Sequence, residues 1–600
     1  MDEFGEQRSL PRMEIVLIPG ECRCLMNRIG RRENWALLSL LALTAAIYVG
    51  SAGIPSLLDD ADSFYAEVVR EMALRHDWVT PYANGLRFFD KPPLFYWLIA
   101  LSNTVLHAGN AFTARLPTAL AVLALVFVTF KIGKLLWGFR VGLFSGLALA
   151  TSAGMFLFTR IVLPDALVTL LLTLFLYCFL LWERAENKNP PLLWMYAFAA
   201  LAVMAKGLIG LVFPSMILLG TLAATSRLRE AARLLSLKGA LLFVAIAVPW
   251  HVLIGARNHG FFWFYFINEH VLRFLNLRYP RDYNTVPRAW FWLFHLLWLF
   301  PWSVYFPAAL RLNYRQPERV SRVRLMALCW SGFILVFFTF STTQEYYSMP
   351  CYPALALLLG SAIAGQDPWL RYGTRAIAVV ATLAAVAIAG ILWMVRGLAT
   401  PGDIAGALSQ NPEVYTLSLG HMTDLTLRAF AYLRLPLAVA GVAFVLGAAA
   451  AWRPAGRKLV PLAALAAMMM LFFHAARLAM VVFDPYMSSR PLAEALLQAP
   501  PGKLIVDDQY YTFSSVFFYA NRRALLLNGR VNNLAYGSYA PDAPTGVFID
   551  DRDLAQRWPN AERYYLVVEG PQVPRIEKLV GKAALHTVAS SGGKFLFTNK

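Results

Sequence analysis

The densest group of reactive side chains lies in residues 57–97, the first long polar interruption after the first hydrophobic segment. Its charged members are Asp59, Asp60, Asp62, Glu67, Arg70, Glu71, Asp77, Asp90 and Lys91. Three acids within four positions exceed what a helix N-cap needs, although a cap is the simpler interpretation. At a membrane boundary such carboxylates suit a general base or a metal site for a polar substrate.

A second reactive pair stands in the sequence FFDKPP, where Asp90 precedes Lys91. A lysine flanked by aromatic residues and prolines at a membrane boundary is suited to hold a phosphate as a point charge. A surface ion pair between the two residues is the alternative.

Further charges interrupt apolar segments downstream. Arg160 and Asp165 flank the sequence IVLP, and Lys206 divides an apolar run. A charge near lipid costs roughly 2.5–3.5 kcal/mol on insertion scales, so we expect these groups to be paired or functional, with snorkelling of Lys206 as the alternative.

Two later loops add phosphate-competent groups. In NEHVLRF, Glu269 and Arg273 stand at the i,i+4 spacing of a helix, so they form either a surface pair or a site in which Glu269 or His270 orients Arg273 toward a phosphate. Tyr346 and Tyr347 in QEYYS are either part of an interfacial aromatic belt or phenol donors to a phosphate.

Composition indicates which kind of scaffold must position these groups. The chain has 600 residues, of which 58% are hydrophobic and 15% charged, and its mean hydropathy is +0.52. Many apolar runs are long enough to cross a hydrocarbon core of about 30 Å, which predicts a polytopic α-helical membrane protein. The net charge of +18 is scattered over loops between spans, which does not fit nucleic-acid binding. The five cysteines show no metal-binding spacing.

Loops rich in lysine and arginine mark the cytoplasmic side. Their alternation predicts about thirteen transmembrane helices, with the N-terminus cytoplasmic and the C-terminus outside. It also excludes the apolar segment 93–106 from the spans. Counting this segment as a span would place the acidic stretch and Asp165 on opposite faces of the membrane and invert the charge rule downstream. We therefore expect a juxtamembrane or re-entrant helix there. The first span, about 35–54, lacks a clear cleavage site and is predicted to be retained.

The predicted domains are a cytoplasmic tail over 1–33, a transmembrane domain over 34–483 with outer loops at 55–112 and 257–287, and a small outer α/β domain over 484–600. In the last domain, KLIVDDQ, ALLLNG, TGVFIDD and RYYLVVEG predict strands, and DDQYYTFSSVFFYA and DDRDLAQRWP predict helices. It contains no glycine-rich phosphate loop.

Several of these stretches resemble the membrane glycosyltransferases of the GT-C fold, in particular the bacterial family containing the lipid A aminoarabinose transferase and, more distantly, the protein O-mannosyltransferases. The resemblance rests on YAEVVREM with its preceding acids, DWVTP, FFDKPPLFYWL, LPDAL, MAKG, EHVLRF and MPCYPALALL, in the same order over most of residues 55–365. It implies a polyprenyl-phosphate sugar donor such as an undecaprenyl derivative, a periplasmic active site in the bacterial inner membrane, and inversion at the anomeric carbon. The acceptor would be a lipid, a glycan or a protein.

The resemblance also implies roles for individual residues. Lys91, Arg273 and Tyr347 would hold the donor phosphate, with Lys206 beside them. The other cavity-lining residues would be Tyr65, Asp90, Asp165, Glu269, His270 and Tyr346. The catalytic carboxylate would be Asp60 or Asp62, because the usual acidic pair before the tyrosine of YAE is shifted here. Asp90 replaces the usual glutamate, and Thr343 stands where the aminoarabinose transferases carry a lysine, so sugar or acceptor specificity is open.

The pattern requires no cofactor, and a divalent metal at the acidic cluster is permitted without being demanded. The main alternative function is a transporter or flippase of a lipid-linked saccharide, although no internal repeat is evident. A scaffold in an envelope-assembly complex would leave the converging charges unexplained. The oligomeric state stays open.

Overall fold

A computed structural model of the protein describes residues 19–280, 285–314, 319–409, 417–453 and 459–600. The predicted N-terminal tail, the outer loop 257–287 and two of the basic loops therefore lie partly outside the described residues. The side chains of Cys22 and Cys24 also lie outside them, and Cys178, Cys329 and Cys351 are free thiols.

Helices dominate the first 487 residues. They are α1 (Pro19–Tyr48), α2 (Ala61–Arg75), α3 (Leu94–Val105), α4 (Ala111–Trp137), α5 (Phe139–Ala150), α6 (Ala153–Phe158), α7 (Asp165–Arg184), α8 (Asn189–Lys206), α9 (Ile209–Ala224), α10 (Leu237–Arg257), α11 (Arg288–Trp298), α12 (Phe306–Leu310), α13 (Arg319–Phe340), α14 (Tyr352–Gly365), α15 (Leu370–Val395), α16 (Ala429–Tyr432), α17 (Arg434–Ala451) and α18 (Leu459–Met487). A π-helix covers Trp263–Leu272, and a 3₁₀ helix over Glu345–Cys351 leads into α14.

Eight helical segments within the described ranges are long and apolar enough to cross a membrane. They are Ala111–Trp137, Asp165–Arg184, Leu237–Arg257, Ser321–Phe340, Glu345–Gly365, Leu370–Val395, Arg434–Ala451 and Pro461–Met487. The pair Arg288–Trp298 and Trp302–Leu310, bent by 95°, adds a broken ninth candidate. The chain is a polytopic helical membrane protein, as its composition predicts.

The polar stretch 57–97 forms a compact unit beside the helical bundle. It contains α2, a hairpin of β1 (Tyr82–Ala83) and β2 (Leu86–Arg87), and the start of α3. Helix α3 has 12 residues, about 18 Å, and is too short to cross the hydrocarbon core. Its buried face packs against α2 and α4, which agrees with the exclusion of 93–106 from the spans.

The C-terminal residues contain a six-stranded sheet with the order β5-β4-β3-β6-β8-β7. The strands are β3 (Lys503–Asp507), β4 (Ala524–Leu527), β5 (Phe548–Ile549), β6 (Tyr564–Glu569), β7 (His586–Ser591) and β8 (Lys594–Thr598), and the helices are α19 (Arg490–Gln498), α20 (Ser514–Ala520), α21 (Asn532–Gly537), α22 (Asp551–Arg557) and α23 (Val573–Val580). Strands β3 to β6 are parallel, and β8 and β7 continue the sheet antiparallel. The four parallel strands occupy the four apolar runs singled out in the sequence.

One hydrophobic core joins this sheet to the 57–97 unit. Phe64 and Phe88 from the first outer loop pack with Tyr510, Phe513 and Leu504 from the C-terminal region. The Asn84 side chain also exchanges two hydrogen bonds with the backbone of Ala524, at 2.9 and 3.0 Å. The polar loop is therefore held between the helical bundle and the C-terminal sheet.

Candidate active site

Asp90 and Lys91 lie at the centre of the charged cluster, just before α3. Lys91 Nζ donates to Asp90 Oδ2 at 2.7 Å, so the ion-pair alternative is realised. The pair does not stand alone on a surface, because Arg273 Nη1 approaches Asp90 Oδ1 at 3.5 Å from the end of the π-helix. Each of the three side chains is only about 15% exposed. The loop 57–97 and the loop after α10 therefore meet at Asp90.

Glu269 organises the two arginines of this cluster. Its Oε2 accepts from Arg273 Nη1 at 2.8 Å, and its Oε1 accepts from Arg278 Nε at 2.6 Å. Burial and the neighbouring Asp90 raise the pKa of Glu269 to about 7. Burial opposes the charge of Asp90 as well, but Lys91, Arg273 and Arg278 outweigh it and hold the pKa of Asp90 well below its ordinary value. The cluster thus carries more positive than negative charge.

A third loop reaches the cluster through Tyr347. Its hydroxyl accepts from Arg273 Nη2 at 2.8 Å, and its ring lies 4.6 Å from Lys206 Nζ. Lys206 in turn forms a salt bridge with Asp165, which is buried at the start of α7. Tyr347 therefore connects the Asp90 cluster to the Lys206–Asp165 pair. Because Tyr347 is 8% exposed, it is not a residue of a lipid-facing aromatic belt.

His270 binds the short break between helices α8 and α9, just after Lys206. Its Nδ1 donates to the carbonyl of Tyr265 at 2.6 Å, and its Nε2 accepts from the N–H of Leu208 at 3.0 Å. Burial lowers the pKa of His270 to about 4, so the ring is neutral. His270 therefore orients the segment that carries Lys206 and has no contact to Arg273 among the hydrogen bonds of the described residues.

Gly207 provides a stability test of this arrangement. Its φ is +87°, and an added Cβ would collide with the His270 ring and the Tyr265 hydroxyl. We expect Gly207→Ala to lower the free energy of unfolding by about 1–3 kcal/mol, since L side chains rarely adopt this conformation. Thermal melting in detergent measures the effect. Gly220→Ala, in open space on α9, is the control. Equal melting temperatures of the two variants would contradict the assignment.

The two candidate carboxylates occupy different environments. Asp62 is 1% exposed, forms a salt bridge with Arg115 of α4 and accepts from the backbone N–H groups of Leu58 and Val162. Asp60 is exposed, and its carboxylate lies within electrostatic range of the Tyr346 ring. Asp62 thus holds the loop together, and Asp60 is the exposed carboxylate of the two.

Two aromatic side chains, Tyr65 and Tyr96, lie beside Asp90. Burial raises the pKa of Tyr65 well above its ordinary value, and the nearby Tyr96, Asp90, Tyr346 and Asp165 raise it further. Tyr96 of α3 stacks on Tyr65 with ring centroids 5.5 Å apart. The Tyr96 hydroxyl is buried and lacks a hydrogen-bond partner among the described residues.

Sequence reasoning missed four members of this arrangement. They are Tyr96, Arg115, Arg278 and Asn533, whose Oδ1 accepts from Arg278 Nη2 at 2.6 Å. Arg278 follows Arg273 by five residues, and this second cation in one short loop was a usable signal. Arg115 and Asn533 carried none, since each acts across more than 50 residues of sequence. Arg160, by contrast, contacts Ser51 and the Tyr48 carbonyl.

In the described part of the chain, no three His, Cys, Asp or Glu side chains are grouped as a metal site. Asp59, Asp60 and Asp62 diverge, because Asp59 turns toward the C-terminal region and Asp62 toward α4. The acidic run in the sequence therefore does not fold into one carboxylate cluster.

The chain is similar to one protein family and to several individual proteins. The dolichyl-phosphate-mannose-protein mannosyltransferase family matches residues 90–252. The undecaprenyl phosphate-alpha-4-amino-4-deoxy-L-arabinose arabinosyl transferase of Pectobacterium atrosepticum is 29% identical over 341 residues, which are 55% of this chain and 60% of that protein. A transferase of the same name from Pseudomonas fluorescens is 27% identical over 407 residues, 65% of this chain and 67% of that protein.

Among solved structures, the crystal structure of ArnT from Cupriavidus metallidurans bound to undecaprenyl phosphate matches with a TM-score of 0.77 and 22% identity. The match covers 94% of this chain and 98% of that one. The chain therefore has the fold of that protein, and the resemblance to GT-C glycosyltransferases predicted from the sequence is confirmed.

Proposed function

We propose that the protein is an inverting glycosyltransferase that moves a sugar from a polyprenyl-phosphate donor to an acceptor of the cell envelope. The relatives named above are transferases of undecaprenyl-phosphate-linked aminoarabinose, which supports a donor of the same lipid class. The acceptor class includes lipid A, another lipid or glycan, and protein.

The observation that carries the proposal is the convergence of three loops on Arg273. This one guanidinium contacts Asp90 from the first outer loop, Glu269 from its own helix and Tyr347 from the loop before α14. Lys91 pairs with Asp90, and Arg278 lies against both Asp90 and Glu269. Two arginines and a lysine in a largely buried cluster are suited to bind a phosphate group and to stabilise the charge it gains as a leaving group.

In the proposed reaction, the bond between the anomeric carbon and the donor phosphate oxygen breaks, and the phosphate keeps the electron pair. Lys91, Arg273 and Tyr347 stabilise that charge, and Lys206 stands beside Tyr347. The acceptor oxygen attacks the opposite face of the anomeric carbon, which inverts its configuration. If the acceptor is a hydroxyl, Asp60 takes its proton; if it is already a phosphate, no base is required and Asp60 positions the sugar or the acceptor.

We place the protein in the bacterial inner membrane with the site on the periplasmic side, the N-terminus cytoplasmic and the C-terminal sheet periplasmic. To reach the thirteen passes predicted from charge, we count the eight long spans, the bent pair, α1, α8, α9, and α5 continued by α6 as one pass over residues 139–158. This orientation puts Asp60, Asp90, Asp165 and Arg273 on one membrane face. The domain limits at 33 and 483 remain part of this proposal.

Glu269 makes donor binding depend on pH. Below about pH 7 its carboxyl is neutral, and the cations Lys91, Arg273 and Arg278 face Asp90 as the one charged acid; above it, Glu269 adds a negative charge. Because the donor phosphodiester stays singly charged, we expect its KM to rise several-fold from about pH 6 to about pH 8. Glu269→Gln should flatten this rise. A KM with the same pH dependence in both proteins would contradict the assignment.

A transporter of a lipid-linked saccharide is the alternative, since it would bind the same headgroup without chemistry. Binding of undecaprenyl phosphate to purified wild-type protein and to Lys91→Met, with Lys503→Met as an exposed control, tests the phosphate site first. Reconstituted vesicles that carry labelled donor in one leaflet then distinguish the two functions. Glycosylated product without movement of intact donor supports the enzyme, and movement without product supports the transporter. Parallel assays with EDTA and with Mg²⁺ or Mn²⁺ show whether a divalent metal takes part.

A further inference from the structure

We propose that the C-terminal region is a working part of the active site, because Lys594, Ser514 and Ser515 fix the Asp59–Asp60 turn that presents the catalytic carboxylate. The inference rests on the proposed function and deepens it. It assigns positioning residues in a region where the sequence shows no chemical motif.

Asp60 has a backbone conformation that its neighbours must impose. Its φ is 70° and its ψ is −139°, a combination that residues with a side chain rarely adopt. Its N–H donates to the carbonyl of Tyr511 at 2.9 Å, and its own carbonyl accepts from Ser514 Oγ at 3.0 Å. Tyr511 precedes α20 and Ser514 is its first residue, so both partners lie more than 450 residues away in sequence. The C-terminal region therefore binds the backbone of Asp60 on both sides.

Asp59 anchors the same turn through its side chain. Oδ1 accepts from the N–H and Oγ of Ser515, at 2.9 and 2.7 Å. Oδ2 accepts from Ser489 Oγ and Lys594 Nζ, each at 2.7 Å. The Asp59 and Lys594 side chains are only 11% and 8% exposed, and charge-assisted hydrogen bonds of this kind fix geometry strongly. Asp59 is thus an anchor, and the next residue is held in place by it.

Lys594 owes its position to the sheet. It begins β8 and is paired with Glu569 of β6 and Ser591 of β7, so its side chain leaves a rigid backbone. Its ammonium is the one cation bonded to Asp59 among the described residues. Removing it leaves the Asp59 carboxylate buried with fewer donors, and the turn is then free to relax toward an ordinary backbone conformation at Asp60.

Lys594→Met tests the inference, since methionine keeps the length of the apolar stem and removes the charge. We expect kcat to fall about tenfold or more and the KM for the donor to stay within about twofold, because Lys91 and Arg273 are untouched. Lys594→Arg should restore much of kcat. Arg575→Met is the matched control: it removes the pairs of Arg575 on α23 with Asp507 of β3 and Asp551 of α22, and it touches none of residues 57–62.

Amide hydrogen exchange provides a readout that does not depend on activity. The N–H groups of Asp59 and Asp60 are bonded to the carbonyls of Met487 and Tyr511, so their exchange reports the turn directly. Lys594→Met should speed exchange at residues 58–64, and Arg575→Met should not. Unchanged exchange there, or an unchanged kcat in a Lys594→Met protein whose wild type transfers sugar, would overturn the inference. An inactive wild type with the expected exchange would instead count against the proposed function alone.

Discussion

Replacement of Arg273 by alanine is expected to lower kcat/KM for sugar transfer at least about a hundredfold, the largest effect of any single change in the phosphate-binding cluster. The variant loses the whole guanidinium, which in the wild type contacts Glu269, Asp90 and Tyr347. It also leaves Glu269 and Asp90 with one counter-ion fewer in a buried site. Arg273→Lys should recover only part of the activity, because lysine cannot span Tyr347 and the two acids at once.

The measurement is steady-state transfer by purified protein, normalised to folded protein by size-exclusion chromatography. Arg257→Ala is a suitable control, because Arg257 stands at the end of α10 near the same loop and is 56% exposed beside Asp77. Its activity should remain near that of the wild type. An Arg273→Ala protein with more than half of the wild-type rate would remove Arg273 from the phosphate-binding role.

The second large effect separates Asp60 from Asp62. With a hydroxyl acceptor, Asp60→Asn should lower kcat by about 10²–10⁴-fold, the usual contribution of a general base, while donor binding and the melting temperature stay near those of the wild type. Asp62→Asn should act on stability, because it breaks the buried pair with Arg115, and loss of one partner in such a pair costs about 3–5 kcal/mol.

Both variants are compared by donor binding, turnover and thermal melting. The structural assignment requires that the two aspartates give opposite patterns: turnover lost with normal melting for Asp60, and melting lowered for Asp62. Normal turnover in Asp60→Asn with a hydroxyl acceptor, together with a stable but inactive Asp62→Asn, would return the catalytic role to Asp62.

The sequence was sufficient for the features that depend on local pattern. Apolar runs and charged loops predict the helical membrane fold, and the short apolar runs after residue 484 coincide with β3, β4, β5 and β6. The charge alternation also excludes residues 93–106 from the spans, in agreement with the 12-residue length of α3. These properties are set by side chains within one segment, so the segment alone reveals them.

The sequence was insufficient where partners come from distant segments. The sequence does not distinguish the roles of Asp59, Asp60 and Asp62. Only the folded chain shows that Lys594 binds Asp59 and that Arg115 binds Asp62. Likewise, Asn533 reaches Arg278 across 255 residues. The hairpin of β7 and β8 was missed because HTVASS lacks a regular apolar alternation. The roles assigned to Lys91, Arg273, Tyr347 and Lys206 remain predictions, although the structure brings all four together.

The most direct test of the proposed function is mass spectrometry of the lipid products formed by purified protein from a panel of polyprenyl-phosphate sugars with envelope lipid and glycan acceptors. The proposal predicts one glycosylated acceptor together with an equimolar amount of free polyprenyl phosphate, both absent with Arg273→Ala. Recovery of every donor intact by a folded protein that binds undecaprenyl phosphate would contradict it.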